Sequence, residues 1–442
     1  MRISIIGTGY LGAVHAACMA ELGHEVLGVD SDAGKISALA EGRAPFFEPG
    51  LPELLVGNIA SGRLRFSTSL ADAARFAELH FVCVGTPQLP GSLGADLSSI
   101  EAVIDRLAPD LTHDCLIVGK STVPVGTAPR LAARLASLTP AGVTAELAWN
   151  PEFLREGFAV RDTLRPDRLV VGITSAGADS ALRAVYAPLL EAGTPYITTD
   201  LATAELAKVA ANAFLATKVS FINAVADVCE VAGADVVTLA HTLGYDKRIG
   251  RHFLSAGLGY GGGCLPKDVR AFVARAGELG VADSVRFLQG VDEINNARRR
   301  HAVDLARDLV GGSFTGRNVA ILGAAFKPNT DDVRDSPALA VAAAIRSEGA
   351  QVRVHDPRAT DNARLNKPEL DYCDEPEKAC ESADVVLHLT EWSLYRELDP
   401  DRLRSLVRTP RILDGRNVLP LDRWRAAGWT ARSMGVAPVA EA

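Results

Sequence analysis

The chain reads as an α/β protein, two doubly wound domains joined by a long central helix. Three observations predict it. The first thirty residues run strand, glycine turn, helix, strand and acidic residue, and a stretch beginning near Asn318 repeats that order. Between them, DLATAELAKVAANAFLATKVSFINAVADVCEVAGAD offers a helical run with almost no glycine or proline. A length of 442 residues exceeds one ordinary core. The expected division is 1–199, 200–308 and 309–442.

In the N-terminal part, strand RISII leads into GTGYLG, so Gly7, Gly9 and Gly12 form G-x-G-x-x-G and open a helix. The next strand, HEVLGVD, ends in Asp30, eighteen residues beyond the last glycine. This is the context of a dinucleotide site, Rossmann-like in order, with backbone N–H groups at a helix N-terminus facing a pyrophosphate. Asp30 would accept from a ribose 2′-OH and repel a 2′-phosphate, which favours NAD over NADP. Lys35, one turn on, is either a solvated lysine or a ribose contact. Two apolar strands end in loops that bear chemistry: LHFVCVGTP with Gly85, Thr86 and Pro87, and CLIVGKSTVPVGT with Ser121 and Thr122. In an open parallel sheet, ligands lie beyond such strand ends. Strand AELAWN leads into NPEFLREG, where Glu152 and Glu156 share a face if the turn is helical, and strand DRLVVGI follows.

On the central helix Lys208 and Asn212 lie four residues apart, one above the other. An ammonium in so apolar a stretch must find a partner or an anionic ligand. Asp246, Arg248 and Arg251 precede GLGYGGGCLPKD, which delivers Cys264 to the start of a helix with Pro266 in its first turn. There the helix dipole favours thiolate. A second helix, SVRFLQGVDEINNARRRHAVDLARDLV, carries Arg298 to Arg300 as a solvated patch. In the C-terminal part the repeated unit keeps only Gly323 of the glycine signature, ends its second strand in Asp356, and places Lys327 and Arg334 in the loop after its first strand. A point charge and a fork there suit phosphate.

Composition narrows the function classes. A net charge of -8 and a pI near 5.7 argue against a general nucleic-acid surface. No apolar run is expected to approach the ~20 residues of a membrane span. No secretory leader is expected from MRISIIGTGY, and seven cysteines without CxxC or Cys/His clustering give neither a disulfide framework nor a zinc pattern. A reducing cytosolic setting and no metal are expected.

A nicotinamide cofactor beside a cysteine nucleophile makes sense when an aldehyde must be oxidised onward: thiol addition gives a thiohemiacetal that can lose hydride, and the thioester formed is hydrolysed. The run of GTGYLG, VGTP, KSTVPVGT, NPEFLREG, PDRLVVG, ELAKVAANAFLATKVSFIN, RIGRHFL, GYGGGCLPKD and FKPNTDDVRDSP resembles the UDP-glucose/GDP-mannose dehydrogenase family over nearly the whole chain. The resemblance implies a four-electron oxidation of UDP-glucose to UDP-glucuronate with two successive NAD, or the same chemistry on GDP-mannose or a UDP-N-acetylhexosamine. It makes Cys264 the nucleophile, Glu152 the base for thioester hydrolysis, Lys208 with Asn212 the oxyanion holders, and Asp268 with Thr122 the positioners of water. It puts NAD against Gly7, Gly9, Tyr10, Leu11, Gly12, Asp30, Lys35, Val84 to Pro87, Ser121, Thr122, Glu156 and Arg334. It puts the nucleotide sugar against Glu152, Phe153, Leu154, Arg155, Lys208, Asn212, Phe253, Leu254, Gly261, Cys264, Phe326 and Lys327, and against Arg248 reaching from a second subunit. The central helix is then a dimer core.

Two positions leave the family pattern: Gly263 stands where serine is common, and Ala224 where glutamate is common. Two other readings fit the residues alone. One is a two-electron hydroxyacid dehydrogenase using Lys208 and Asn212 with a structural cysteine; the other is an NAD-binding regulator with a thiol sensor.

Overall fold

The computed structural model describes residues 1–437. These divide into two compact units, residues 1–211 with 270–280, and residues 212–269 with 281–437.

The first unit has eight strands, the inner ones largely buried runs rich in Ile, Val, Leu and Phe and the two edge strands more exposed: β1 Arg2–Ile6, β2 Glu25–Val29, β3 Leu64–Ser67, β4 Leu79–Val82, β5 Cys115–Gly119, β6 Ala145–Trp149, β7 Leu169–Gly172 and β8 Tyr196–Thr199. Their order is β3-β2-β1-β4-β5-β6-β7-β8. The first six are parallel in the doubly wound order, with the reversal between β1 and β4 that creates a ligand crevice. The side-chain period of two sorts the core: Ile3 and Ile5 pack on one face of the sheet and Ile6 on the other. Helix α1, Tyr10–Glu21, covers the first face and helix α2, Thr127–Leu138, the second. Strand β7 meets β6 antiparallel at Trp149–Gly172. The connection from 150 to 168 holds only the short helix Ala159–Leu164, so the chain re-enters from the end at which β6 left rather than crossing over. Residues 151–158 are not helical, so Glu152 and Glu156 do not share a helix face. The proline at 151 and glycine at 157 break the pattern.

The central run forms helix α3, Leu201–Ala232. By length and composition it is apolar enough to cross a membrane, with a mean hydropathy of 1.4 over its most apolar window, which corrects the expectation that no stretch comes near. Helix α4, Leu265–Glu278, starts directly after Cys264, and helix α5, Phe287–Leu309, follows. Its arginine triplet is not one solvated patch. Arg298 is 1% exposed, bonded to Asp227 and to the carbonyl of Gly257, and Arg299 pairs with Asp335 at 2.7 Å; only Arg300 is exposed. Successive helix residues point about 100° apart, so three in a row cannot share a face.

The second sheet contains β9 Asn318–Leu322, β10 Gln351–His355, β11 Asp371–Cys373, β12 Val385–His388, β13 Arg411–Asp414 and β14 Thr430–Ser433, with helix α6, Pro337–Ser347, after β9. All pairings are parallel in the order β11-β10-β9-β12-β13-β14, the same doubly wound order as the first six strands of the other sheet. Asp356 ends β10 as Asp30 ends β2, yet its carboxylate is spent inside the fold. It accepts from the N–H groups of Ala324, Ala325, Arg358 and Ala359 and from the Trp392 indole at 2.8 to 3.1 Å.

Candidate active site

In the first unit each glycine of the turn after β1 has its own reason. Gly7 has φ +89°, and a Cβ there would lie 2.8 Å from the Val84 side chain. A Cβ on Gly12 would lie 1.8 Å from the Gly7 carbonyl oxygen, so only glycine lets α1 leave the sheet at this point. A Cβ on Gly9 would meet nothing within 4 Å. No protein group requires glycine there, whereas close approach of a pyrophosphate to the backbone does. Asp30 accepts from Thr8 N–H at 2.9 Å, from Asp32 N–H at 3.1 Å and from Lys35 Nζ at 3.0 Å. Burial pushes its pKa up, but the Asp32 N–H and then Lys35 and Thr8 outweigh that and hold it below the usual carboxylate value. Lys35 is therefore the ion-pair partner of Asp30.

The loops beyond β4 and β5 are tied together: Thr86 Oγ1 donates to the Thr122 carbonyl at 2.6 Å and Ser121 Oγ to the Val84 carbonyl at 2.6 Å. Tyr10 packs on Phe46 and its hydroxyl bonds Glu48, which also accepts from Gly157 N–H at 2.7 Å. This fixes the glycine beside Glu156, itself buried. Leu11 packs into the α1 face of the core.

Beyond β6, Phe153 and Leu154 turn to opposite faces of the sheet core. Glu152 accepts from Leu154 N–H at 2.7 Å and pairs with Lys208 at 2.9 Å, the two side chains 12% and 5% exposed. The Lys208 ammonium also lies 5.7 Å from the Phe153 ring centroid, while Arg168 stacks on that ring at 4.0 Å. The Arg155 guanidinium is held by both oxygens of Asp162.

In the second unit, all cysteines but two of the chain's seven being buried, only Cys264 is exposed. Its carbonyl accepts from Asp268 N–H at 2.9 Å in the first turn of α4. Asp268, 1% exposed, accepts from the Asn212 amide at 2.6 Å and from Lys267 Nζ at 2.7 Å. The glycines before Cys264 are occupied by protein neighbours: a Cβ on Gly261 would lie 2.4 Å from the Asp335 carbonyl oxygen, on Gly262 2.8 Å from the Phe326 ring, and on Gly263 2.3 Å from the Arg334 guanidinium carbon. The cysteine loop thus lies flat on the loop after β9. Lys327 lies over the Phe326 ring at 5.4 Å, and Asp332 accepts from the Arg334 guanidinium through both oxygens. Phe253 takes a left-handed φ of +63°, and Leu254 is buried in a small apolar cluster with Ile222 and Val236. Arg248 is 89% exposed and held by Asp246 at 2.6 Å.

Against this geometry the comparisons decide the family. The family model for the UDP-glucose/GDP-mannose dehydrogenase NAD binding domain matches residues 1–190, that for the central domain 202–297, and that for the UDP binding domain 320–421. The chain belongs to the UDP-glucose/GDP-mannose dehydrogenase family. It is 43% identical to the UDP-glucose 6-dehydrogenase of Rhizobium meliloti over 98% of this chain and 99% of that one. It is 40% identical to that of Pseudomonas aeruginosa over 98% and 97%. Among solved structures, a UDP-glucose dehydrogenase from Pyrobaculum islandicum superposes with a TM-score of 0.90 at 38% identity, over 99% and 98% of the two chains. A UDP-D-ManNAc dehydrogenase from Pyrococcus horikoshii gives 0.86 at 26%, over 99% and 100%. The two-sheet α/β fold with its long central helix is that of the family, an NAD-dependent dehydrogenase.

Three groups of this dehydrogenase were not singled out from sequence. Lys120 is 5% exposed, donates to Asn150 at 2.9 Å, and is brought down to about 8 by burial. Glu48 stands behind Tyr10, and Glu205 lies buried one turn before Lys208. The signal was present for Lys120 and Glu205: each charge sits in an apolar run and must find a partner. Glu48 lies in FFEPG, where nothing marks it.

Proposed function

We propose that this chain oxidises the C6 hydroxymethyl group of UDP-glucose to the carboxylate of UDP-glucuronate. The observation that carries the reading is Cys264, the exposed thiol at the head of α4, in a chain whose relatives of about 40% identity bear the name UDP-glucose 6-dehydrogenase. When bound, NAD accepts the hydride in each of two oxidations. Its residues are the turn at Gly7, Gly9 and Gly12, whose open Gly9 suits a pyrophosphate, with Asp30 toward the ribose.

The protein's part follows from its groups. In the first oxidation, Lys208 steadies the alcohol oxygen as its proton passes to water and hydride leaves C6. Cys264 Sγ then bonds the aldehyde carbon, its proton passing to the carbonyl oxygen to give a thiohemiacetal whose hydroxyl lies with Lys208 and Asn212, and loss of that hydroxyl proton to water together with the second hydride leaves a thioester. Water, held by Thr122 and Asp268 and deprotonated by Glu152, adds to the thioester carbon; the C–S bond breaks and the thiol returns. Arg248, Phe253, Leu254, Gly261, Phe326 and Lys327 bind the nucleotide sugar, and Glu156 and Arg334 serve the cofactor side. Since Asp162 and Asp246 hold Arg155 and Arg248, substrate must exchange with those carboxylates or use the backbone beside them. The division at 1–199, 200–308 and 309–442 follows the same assignment.

A homodimer in the cytoplasm completes the proposal. Phe214, Phe221 and Val228, 67%, 55% and 65% exposed, recur every seventh residue along α3, a stripe suited to a second copy.

The test is stoichiometry: two NADH per UDP-glucuronate are expected, and one NADH per oxidised product would return the two-electron reading. Replacing Asp30 with alanine is expected to weaken NAD about 10-fold or more, from the loss of hydrogen bonds to a charged acceptor, and to narrow the preference over NADP. Titration with both dinucleotides checks it.

A further inference from the structure

The loop between β5 and α2, KSTVPVGT, carries Ser121 and Thr122, and at its far end Thr127 Oγ1 donates to the Pro124 carbonyl at 2.6 Å. Two long side chains from α3 and α4 hold the backbone there as well. Glu205 on α3, 1% exposed, accepts from the N–H of Gly126 at 2.7 Å and of Ala128 at 2.5 Å. It is one turn before Lys208. Arg275 on α4 donates Nε to the Val125 carbonyl at 2.8 Å and pairs with Glu278 at 2.7 Å. One carboxylate therefore satisfies two orphan donors at the start of α2 at once, where an anion is also favoured by the helix dipole.

We propose that Glu205, with Arg275, is a positioning pair that registers the Ser121–Thr122 loop against the part of α3 that carries Lys208, so that turnover depends on the Glu205 carboxylate though it touches neither substrate nor cofactor. The inference rests on the function proposed above. Glutamine is the same size as glutamate but has one acceptor oxygen. Its amide N–H₂ would face one of the two backbone N–H groups, and that end of the loop is released.

The charge of the clamp gives it a second signature. Burial pushes Glu205 up to about 7, against the pull of the Ala128, Gly126 and Thr127 N–H groups and of Arg275. Arg275 is the cation facing it from α4; the loop presents backbone N–H groups; on its own helix Lys208 is paired with Glu152. The ionised clamp is thus lost as pH falls through about 7. The stability term has the opposite sense. A carboxyl whose folded value is raised contributes most stability below its unfolded value and loses it as pH rises through the folded one, so rate and thermal midpoint should move in opposite directions.

The experiment compares wild type, Glu205→Gln and Arg275→Met by NADH release from UDP-glucose and by hydrogen–deuterium exchange of residues 125–128 without ligands. For Glu205→Gln, kcat is expected to fall between about 10- and 100-fold, the scale of a misplaced reacting group. Both KM values should stay within about twofold, exchange at 126–128 should quicken, and the acid limb of the wild-type kcat profile should flatten. Arg275→Met should lower kcat less, with faster exchange. An unchanged kcat, a loss carried by KM, or unchanged loop exchange overturns the proposal. Should Glu205→Gln fail to fold, the Arg275→Met arm decides by the same criteria. Wild type that forms no NADH with any nucleotide sugar refutes the function instead, and the exchange arm still tests the clamp.

Discussion

Alanine in place of Cys264 is expected to lower UDP-glucuronate formation by at least about 10⁴-fold, the order seen when a covalent nucleophile is deleted, while NAD binding persists. The thiol is exposed in the second unit, so its removal leaves no buried cavity and the fold should hold. The glycine turn and Asp30 lie in the first unit and lose no contact. The measurement is product analysis by chromatography beside calorimetric titration of NAD. Acid formation at the wild-type rate would return Cys264 to a structural role and overturn the covalent route. Loss of acid together with loss of the fold would be visible as a lowered thermal midpoint.

Methionine in place of Lys208 is expected to cost about 3 to 5 kcal/mol of stability, as breaking a buried pair does, besides lowering turnover. With the ammonium gone, Glu152 keeps the Leu154 N–H but loses the cation at 2.9 Å, and a carboxylate 12% exposed is left with only the longer-range attraction of Lys120. The double change Lys208→Met with Glu152→Gln should recover part of that loss, because the orphaned charge is removed as well. Denaturant unfolding of the four proteins in the cycle measures the coupling. Additive single effects would mean that the pair contributes nothing beyond its separate side chains.

The fold was legible where local chemistry and tertiary context agree. Buried parallel strands are continuous apolar runs bounded by turns, so β1, β2, β4, β5, β9, β10 and β12 stand out in RISII, HEVLGVD, LHFVCVG, CLIVG, NVAIL, QVRVHD and ADVVLHL. Strands β3, β8 and β11 did not, because edge positions in LRFS, YITT and DYC carry polar residues that read as loop. The sense of β7 was hidden for another reason: DRLVVGI is equally apolar in either direction, and only the short connection reverses it. The candidate residues were found by motif, while their partners were not. Glu152 and Lys208 are 56 positions apart and Asn212 and Asp268 likewise, and nothing in a single sequence links such positions. Of the glycines before Cys264, the resemblance puts Gly261 against the nucleotide sugar. Three of them instead leave space for Asp335, Phe326 and Arg334, neighbours supplied by a loop more than sixty residues downstream.

Asp30 and Asp356 together say something about how such a protein can change over time. Each closes the turn after the first strand of its sheet by accepting from its backbone, Thr8 in one case and Ala324 with Ala325 in the other. Because that internal stapling stands whether or not a dinucleotide is present, selection for folding alone retains the acid. A repeat can then shed its glycines and take up a new ligand while its most diagnostic carboxylate stays in place. Counting such acids along a chain therefore overestimates the number of dinucleotide sites.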